Sequence, residues 1–148
     1  MQKSSIHFVL FLSLLVLTGC GSGNFSVSGK VVFSDDDSPV PMGTVAFESG
    51  SHLFRGLIKP DGTFVMGSSK AEDGVPPGKY RVYVLAEKVT STPTGGKTSD
   101  GEDEVLIETE QLVDAKFTRG STSGIEIDIT GSAKDLEIKV DRYKPAAK

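Results

Sequence analysis

Apolar and polar residues alternate with period two from residue 25 onward. Phe25, Val27, Gly29, Val31 and Phe33 take one side, with Ser26, Ser28 and Lys30 between them. That spacing predicts a half-buried strand. Asp35-Asp36-Asp37-Ser38-Pro39 then breaks the pattern, and a second strand at 44–48 points Val45 and Phe47 one way, Thr44 and Glu48 the other. Residues 53–58 and 63–66 flank Lys59-Pro60-Asp61-Gly62. Pro suits the fixed φ of a turn's second position and Gly the positive φ at its end, so a β-hairpin is expected there. Val75-Pro76-Pro77-Gly78 leads into a strand at 79–86 with Tyr80, Val82 and Val84 facing one side and Arg81 and Tyr83 the other. Near the C-terminus, Ile125, Ile127 and Ile129 alternate with Glu126 and Asp128. Leu136, Ile138 and Val140 alternate with Glu137 and Lys139. These two runs are expected to pair as a hairpin.

No window of helical spacing competes, apart from an ambiguous stretch at 104–117. Half-polar sheets must bury their apolar faces on one another, so the fold class is all-β, an antiparallel β-sandwich of seven to eight strands. Phe25, Phe33, Phe47, Phe64 and Tyr80 are its expected inward aromatics. Residues 87–104 hold five acids, Thr92-Pro93-Thr94-Gly95-Gly96-Lys97, and Val89 as the sole aliphatic side chain apart from Thr methyls. A segment so poor in apolar surface is expected to be a mobile loop outside the sheets.

The N-terminal segment has a different pattern. Lys3 precedes an apolar run of 12 residues, Ile6 to Leu17, which is too short to span a bilayer and of the right length for a secretory signal. It ends in Leu17-Thr18-Gly19-Cys20. These residues resemble the lipobox of bacterial lipoproteins, in which the thiol is acylated with diacylglycerol and the peptide is cut before the Cys. The resemblance implies lipidation of Cys20. Two other readings stay open, a plain secretory signal cut elsewhere and a buried core Cys. Cys20 is the single Cys of the chain, so no internal disulfide can form.

Four segments follow from this reading: a signal peptide at 1–19, the lipidated Cys20 with a flexible tether at 20–24, a β-sandwich domain at 25–143, and a tail at 144–148. Cleavage removes one lysine from a chain of 148 residues and net charge −4, leaving 129 residues at −5. That is one domain by length. Its acidic balance offers no attraction to nucleic acid or an anionic bilayer, so membrane attachment rests on the lipid, and two or three acyl chains anchor stably where one does not. Gly21 stands where an Asp retains many lipoproteins at the inner membrane. The expected location is therefore the cell envelope, at the outer membrane in preference to the inner.

Four blocks carry a second resemblance: Val27-Ser28-Gly29-Lys30-Val31, Pro41-Met42-Gly43-Thr44-Val45-Ala46-Phe47, Pro60-Asp61-Gly62-Thr63-Phe64, and Val75-Pro76-Pro77-Gly78-Lys79-Tyr80-Arg81-Val82. Their order and spacing resemble the carboxypeptidase regulatory-like, transthyretin-like domain family across residues 27 to about 86. The resemblance implies a seven-stranded sandwich of transthyretin type. Met42 and the polar insertion at 87–104 depart from the family pattern.

The peptidase chemistry associated with the family's name does not follow. It sits in a separate domain and needs zinc on two His and an acid. Here His7 leaves with the signal, so His52 is the one imidazole of the mature chain, too few for a His-based zinc or iron site or for the hydrolases and dioxygenases built on similar folds. Arg119-Gly120-Ser121 echoes the Tyr-Arg-Gly-Ser of hydroxyisourate hydrolases without the Tyr and far from the chain end. It reads as a loop. A Ser-His-acid triad around His52 has no distinguishing signal, and Thr94-Gly95-Gly96-Lys97-Thr98 lacks the strand and helix of a phosphate loop. Asp35 to Asp37 and Asp100 to Glu104 lack calcium-loop spacing and read as solvated turns. No catalytic residue, cofactor or metal is therefore assigned. The expected function is a non-catalytic envelope domain contacting proteins or glycans, with an exposed apolar patch including Tyr83 and Leu85 as its mark. A purely structural lipoprotein and an enzyme are the alternatives.

Overall fold

The computed structural model describes residues 23–67 and 73–145. The lipobox, with Cys20, lies outside them. Nine strands run in the order β1 (Val27–Phe33), β2 (Gly43–Ser49), β3 (His52–Ile58), β4 (Thr63–Val65), β5 (Gly78–Leu85), β6 (Glu87–Lys97), β7 (Asp103–Gln111), β8 (Ile125–Ile129) and β9 (Ala133–Val140), with a 3-10 turn at Ala115–Thr118. Seven of them form two sheets, ordered β4-β1-β9 and β3-β2-β5-β8, and β6 and β7 pair only with each other.

One core lies between the two sheets. From the smaller come Val27, Val31, Phe33, Phe64, Ile138 and Val140; from the larger, Val45, Phe47, Phe54, Tyr80, Val82 and Ile129. The expected inward aromatics are buried, except Phe25, which is half-buried and packs on the rim. Tyr80 meets Phe54 edge-on with centroids 5.6 Å apart, an arrangement favoured by the ring quadrupoles. Its hydroxyl donates to the Pro76 carbonyl at 2.8 Å, which satisfies a polar tip that burial would otherwise penalise.

Four expectations are corrected. The sandwich is not wholly antiparallel, because β1 pairs with β9 in parallel and with β4 antiparallel. The C-terminal runs do not form a hairpin, since β8 pairs with β5 in one sheet while β9 crosses to β1 in the other. Each has one apolar face, and the shared core takes both faces better from opposite layers than from one. The turn at Lys59–Gly62 forms, with the Gly62 amide donating to the Lys59 carbonyl at 2.8 Å and Gly62 at φ 82°. Its flanking strands, however, separate into different sheets. Only an Arg55–Gly67 bridge remains of the ladder beyond the turn. Gly56 permits that crossing, because a Cβ there would lie 2.7 Å from the Val65 carbonyl oxygen.

The fourth correction concerns 87–104, expected as a loop. Residues 87–97 are strand β6, laddered on β7 from Glu87↔Gln111 to Pro93↔Val105, with an irregularity before Lys97↔Asp103. The ribbon accounts for the strand number exceeding seven to eight. Burial was the wrong criterion here. Val89, Thr90, Thr92 and Thr94 are β-branched and suit an extended backbone, and the ambiguous stretch after Glu104 supplies Val105, Ile107 and Thr109 opposite Pro93, Ser91 and Val89. Asn24, assigned to the tether, is already attached through its side-chain amide to the Asp73 carbonyl at 3.3 Å.

Candidate functional site: the open face of the four-stranded sheet

The registers place side chains in rows across the outer face of the larger sheet. Leu57, Thr44 and Leu85 form one row; Arg55, Ala46 and Tyr83 the next; Leu53, Glu48, Arg81 and Glu126 a third. Alternation puts the partners of these residues, Phe54, Val45, Phe47, Val82 and Val84, into the core, so the face is the obligatory other side of the same strands. Ala46 is fully buried between its longer neighbours. Leu57 is 72% exposed, Leu85 42% and Leu53 38%. Leu53, Leu57 and Leu85 and the half-buried Tyr83 are thus exposed apolar side chains on one face, set among Thr44, Glu48 and Arg55.

The segment 118–121 walls one side of this face. Gly120 is buried there because its backbone passes the Glu48 carboxylate, where a Cβ would stand 2.5 Å from Oε2. Between wall and sheet runs a groove of about 570 Å³, lined by Glu48, His52, Leu53, Arg81, Tyr83 and Arg119 among others. The groove is chemically mixed, with Leu53, Tyr83 and Leu85 among Glu48, Arg81 and Arg119.

Tyr83 and Leu85, singled out from the sequence, are on this face. Leu53 and Leu57 were missed. The signal was present in the run His52 to Ile58, where Leu53 and Leu57 alternate with Phe54, Gly56 and Ile58, so that both faces of the strand carry apolar residues. His52 is exposed at the start of β3 and lines the groove, with no hydrogen bond to an acid among the described residues. Arg119-Gly120-Ser121 is the wall loop. Thr94-Gly95-Gly96-Lys97 ends β6 near the ribbon tip, where Lys97 pairs with Asp103 at 2.6 Å.

The acidic run Asp35 to Asp37 is engaged by cations. Arg142 donates to Asp35 at 3.1 Å and to Asp36 at 2.9 Å while its guanidinium lies 3.7 Å from the Phe33 ring centroid. Lys139 reaches Asp37 at 2.7 Å. The Ser38 hydroxyl and amide, with Arg142 beside them, hold the Asp36 carboxyl down at about 2. Among the described residues, no three His, Cys, Asp or Glu side chains converge as a metal site would require, and no helix is long and apolar enough to cross a membrane.

Compared with protein-family models and with curated proteins, the sequence matches none. Among solved structures, a 9R-lipoxygenase from Cyanothece PCC8801 is similar at 15% identity and a TM-score of 0.40, over 88% of this chain and 19% of the lipoxygenase. The chain thus spans about a fifth of that protein's length, and so distant a likeness carries no functional argument.

Proposed function

We propose that this protein is a lipid-anchored envelope lipoprotein whose β-sandwich domain, of transthyretin-like type, is a non-catalytic contact module working through the open face of its four-stranded sheet. The observation that carries the contact role is the exposure of Leu53, Leu57 and Leu85, with Tyr83 beside Leu85, on one sheet face among Arg55, Arg81 and Glu48. Exposed apolar side chains gathered on one face and interspersed with charge are a mark of interaction sites in water-facing domains. The transthyretin-like assignment is supported by the four sequence blocks, which fall on β1, β2, the turn and start of β4, and β5. The anchor is supported by Leu17-Thr18-Gly19-Cys20 after the apolar run.

The anchor is tested by metabolic fatty-acid labelling. Label on the wild type and none on Cys20→Ser is expected, and equal label on both refutes it. The contact role is tested with a photo-crosslinking amino acid at position 57 in the full chain in membranes. A discrete crosslinked product is expected, and monomer alone excludes the face as a contact surface.

A further inference from the structure

One edge of the smaller sheet is unpaired. Strand β9 has β1 as its sole neighbour, in the order β4-β1-β9. The Val140 carbonyl accepts from the Ser34 amide, just past β1, at 2.9 Å, whereas the next carbonyl, that of Asp141, points the other way and accepts from the Asp114 amide. Successive residues of a strand turn their backbone groups to opposite edges, so Ile138 and Val140 face β1 while the amides and carbonyls of Glu137 and Lys139 face outward. Among the described residues, no hydrogen bond engages those outward groups. Such an edge accepts a further extended strand through main-chain bonds.

The other edges are guarded against a second copy of themselves. Glu126 and Asp128 on β8, and Glu104, Glu108 and Glu110 on β7, would bring acid against acid in an antiparallel self-pairing, which is destabilising. Pro93 lacks an amide hydrogen in the middle of β6, the Gly67 bridge occupies the middle of β3, and β4 has three residues. Strand β9 differs. Its run Leu136-Glu137-Ile138-Lys139-Val140 is symmetric about Ile138 in apolar pattern and opposite in charge on the two sides.

We propose that two copies pair antiparallel through β9 about a twofold axis at Ile138, joining their smaller sheets into one. Glu137 then lies opposite the second copy's Lys139, and Leu136 opposite its Val140. The register is selected in two ways. Outward backbone groups bond only when an outward-facing residue meets another, so position 137 must oppose 139, or 137 must oppose 137, or 139 must oppose 139. The last two set like charges directly opposite; the first sets acid against base on both sides of the axis. The pairing is confined to 136–140, because Asp114 holds the Asp141 carbonyl at one end and Asp135, at φ 61°, breaks the extended backbone at the other. Within one chain Lys139 already reaches Asp37 at 2.7 Å and Glu137 at 3.4 Å, and exposed ion pairs contribute little. The charges therefore choose the register, and the backbone bonds supply the attraction. The contact is isologous and closes as a dimer. So short a strand pairing buries less than the roughly 800 Å² per partner of a stable complex, so the dimer is weak and concentration-dependent. It uses a surface separate from the open face of the larger sheet, and the two readings stand or fall independently.

Two differently tagged full chains, one Glu137→Cys and the other Lys139→Cys, are co-expressed, oxidised in the cells and purified through one tag. A disulfide between positions 137 and 139 is expected, because directly opposed residues of a hydrogen-bonded pair stand about 5.5 Å apart at Cα, within disulfide range. Peptide mapping separates that bond from any through Cys20. Either variant expressed with itself should crosslink about tenfold less, since its two cysteines then lie diagonally across the pair. In a second arm without added cysteines, retrieval of one tag by the other should fall about tenfold for Glu137→Lys with itself and for Lys139→Glu with itself, and recover when the two are mixed, because each base then meets an acid. Both positions are exposed and their backbone groups face away from β1, so the domain still folds. Absence of the 137–139 bond, equal crosslinking of the single variants, capture of a different protein at position 137, or a mixed charge pair that does not recover overturns the proposal.

Discussion

Gly29 and Leu136 lie opposite each other in the parallel pairing of β1 and β9, and the Leu136 carbonyl oxygen occupies the space a Cβ on residue 29 would need. The pairing that closes the smaller sheet depends on that missing methyl. It forms beside a register irregularity between Val27 and Gly29, where the strand adjusts to the close approach.

Gly29→Ala should therefore destabilise the domain by about 1–3 kcal/mol, the usual cost of forcing an atom into a packed site. Chemical denaturation is the measurement. Hydrogen exchange should show the loss concentrated in β9, with β2 and β5 retaining their protection.

Phe64, on β4, is almost fully buried in the core. Phe64→Ala is expected to cost about 3–5 kcal/mol from lost burial and the cavity left behind. A urea titration giving less than about 1 kcal/mol would contradict the packing described.

Tyr80→Phe keeps the ring contacts with Phe54 and Phe47 and removes only the bond to the Pro76 carbonyl. The expected loss is about 1 kcal/mol. The Pro76 carbonyl is left without the hydroxyl, so thermal unfolding should shift down by a few degrees while the near-UV signature of the core persists.

Acid should weaken the fold over a defined window. The Asp36 carboxyl is lowered from 3.8 to about 2, and those of Asp61 and Asp141 are also lowered, by Thr63 and Lys116 respectively. A depressed carboxylate contributes stability that is fully present above its unfolded value and lost as pH falls through its folded one. Melting temperature should decline between about pH 4 and pH 2, and Asp36→Asn should flatten part of that decline. Lys116 and Lys139 are raised above 10.5 by Asp141 and Asp37. Their contribution holds below 10.5 and is lost only as pH rises through the higher folded values.

Replacing residues 88–110 by Asn-Gly should leave the sandwich folded. Glu87 and Gln111 are a register pair, and a two-residue turn closes such a pair naturally. Leu112 still donates to the Ala86 carbonyl at 2.9 Å at the base. A change of no more than a few degrees in melting temperature is expected from differential scanning calorimetry.

Period-two alternation by itself determined where the sandwich strands lie and, for the strands other than β3, which side is turned to the core, because burying an apolar face needs nothing beyond local geometry. It placed Val45, Phe47, Phe64, Tyr80 and Val82 inward, and Tyr83 and Leu85 outward. Lys59-Pro60-Asp61-Gly62 likewise specified its turn, since proline and glycine restrict the backbone wherever they occur. Alternation cannot specify which strand lies beside which. Backbone hydrogen bonds are the same for any partner, so β8 joins β5 and β9 joins β1 in parallel only because the assembled core and the gap at Gly29 accept those neighbours. For the same reason the ribbon was not legible in residues 87–104 alone: its strand exists through pairing with 103–111, and neither half has a core to declare it. Leu53 and Leu57 became surface residues only once Phe54 and Ile58 had claimed the interior, leaving the opposite side of β3 facing water.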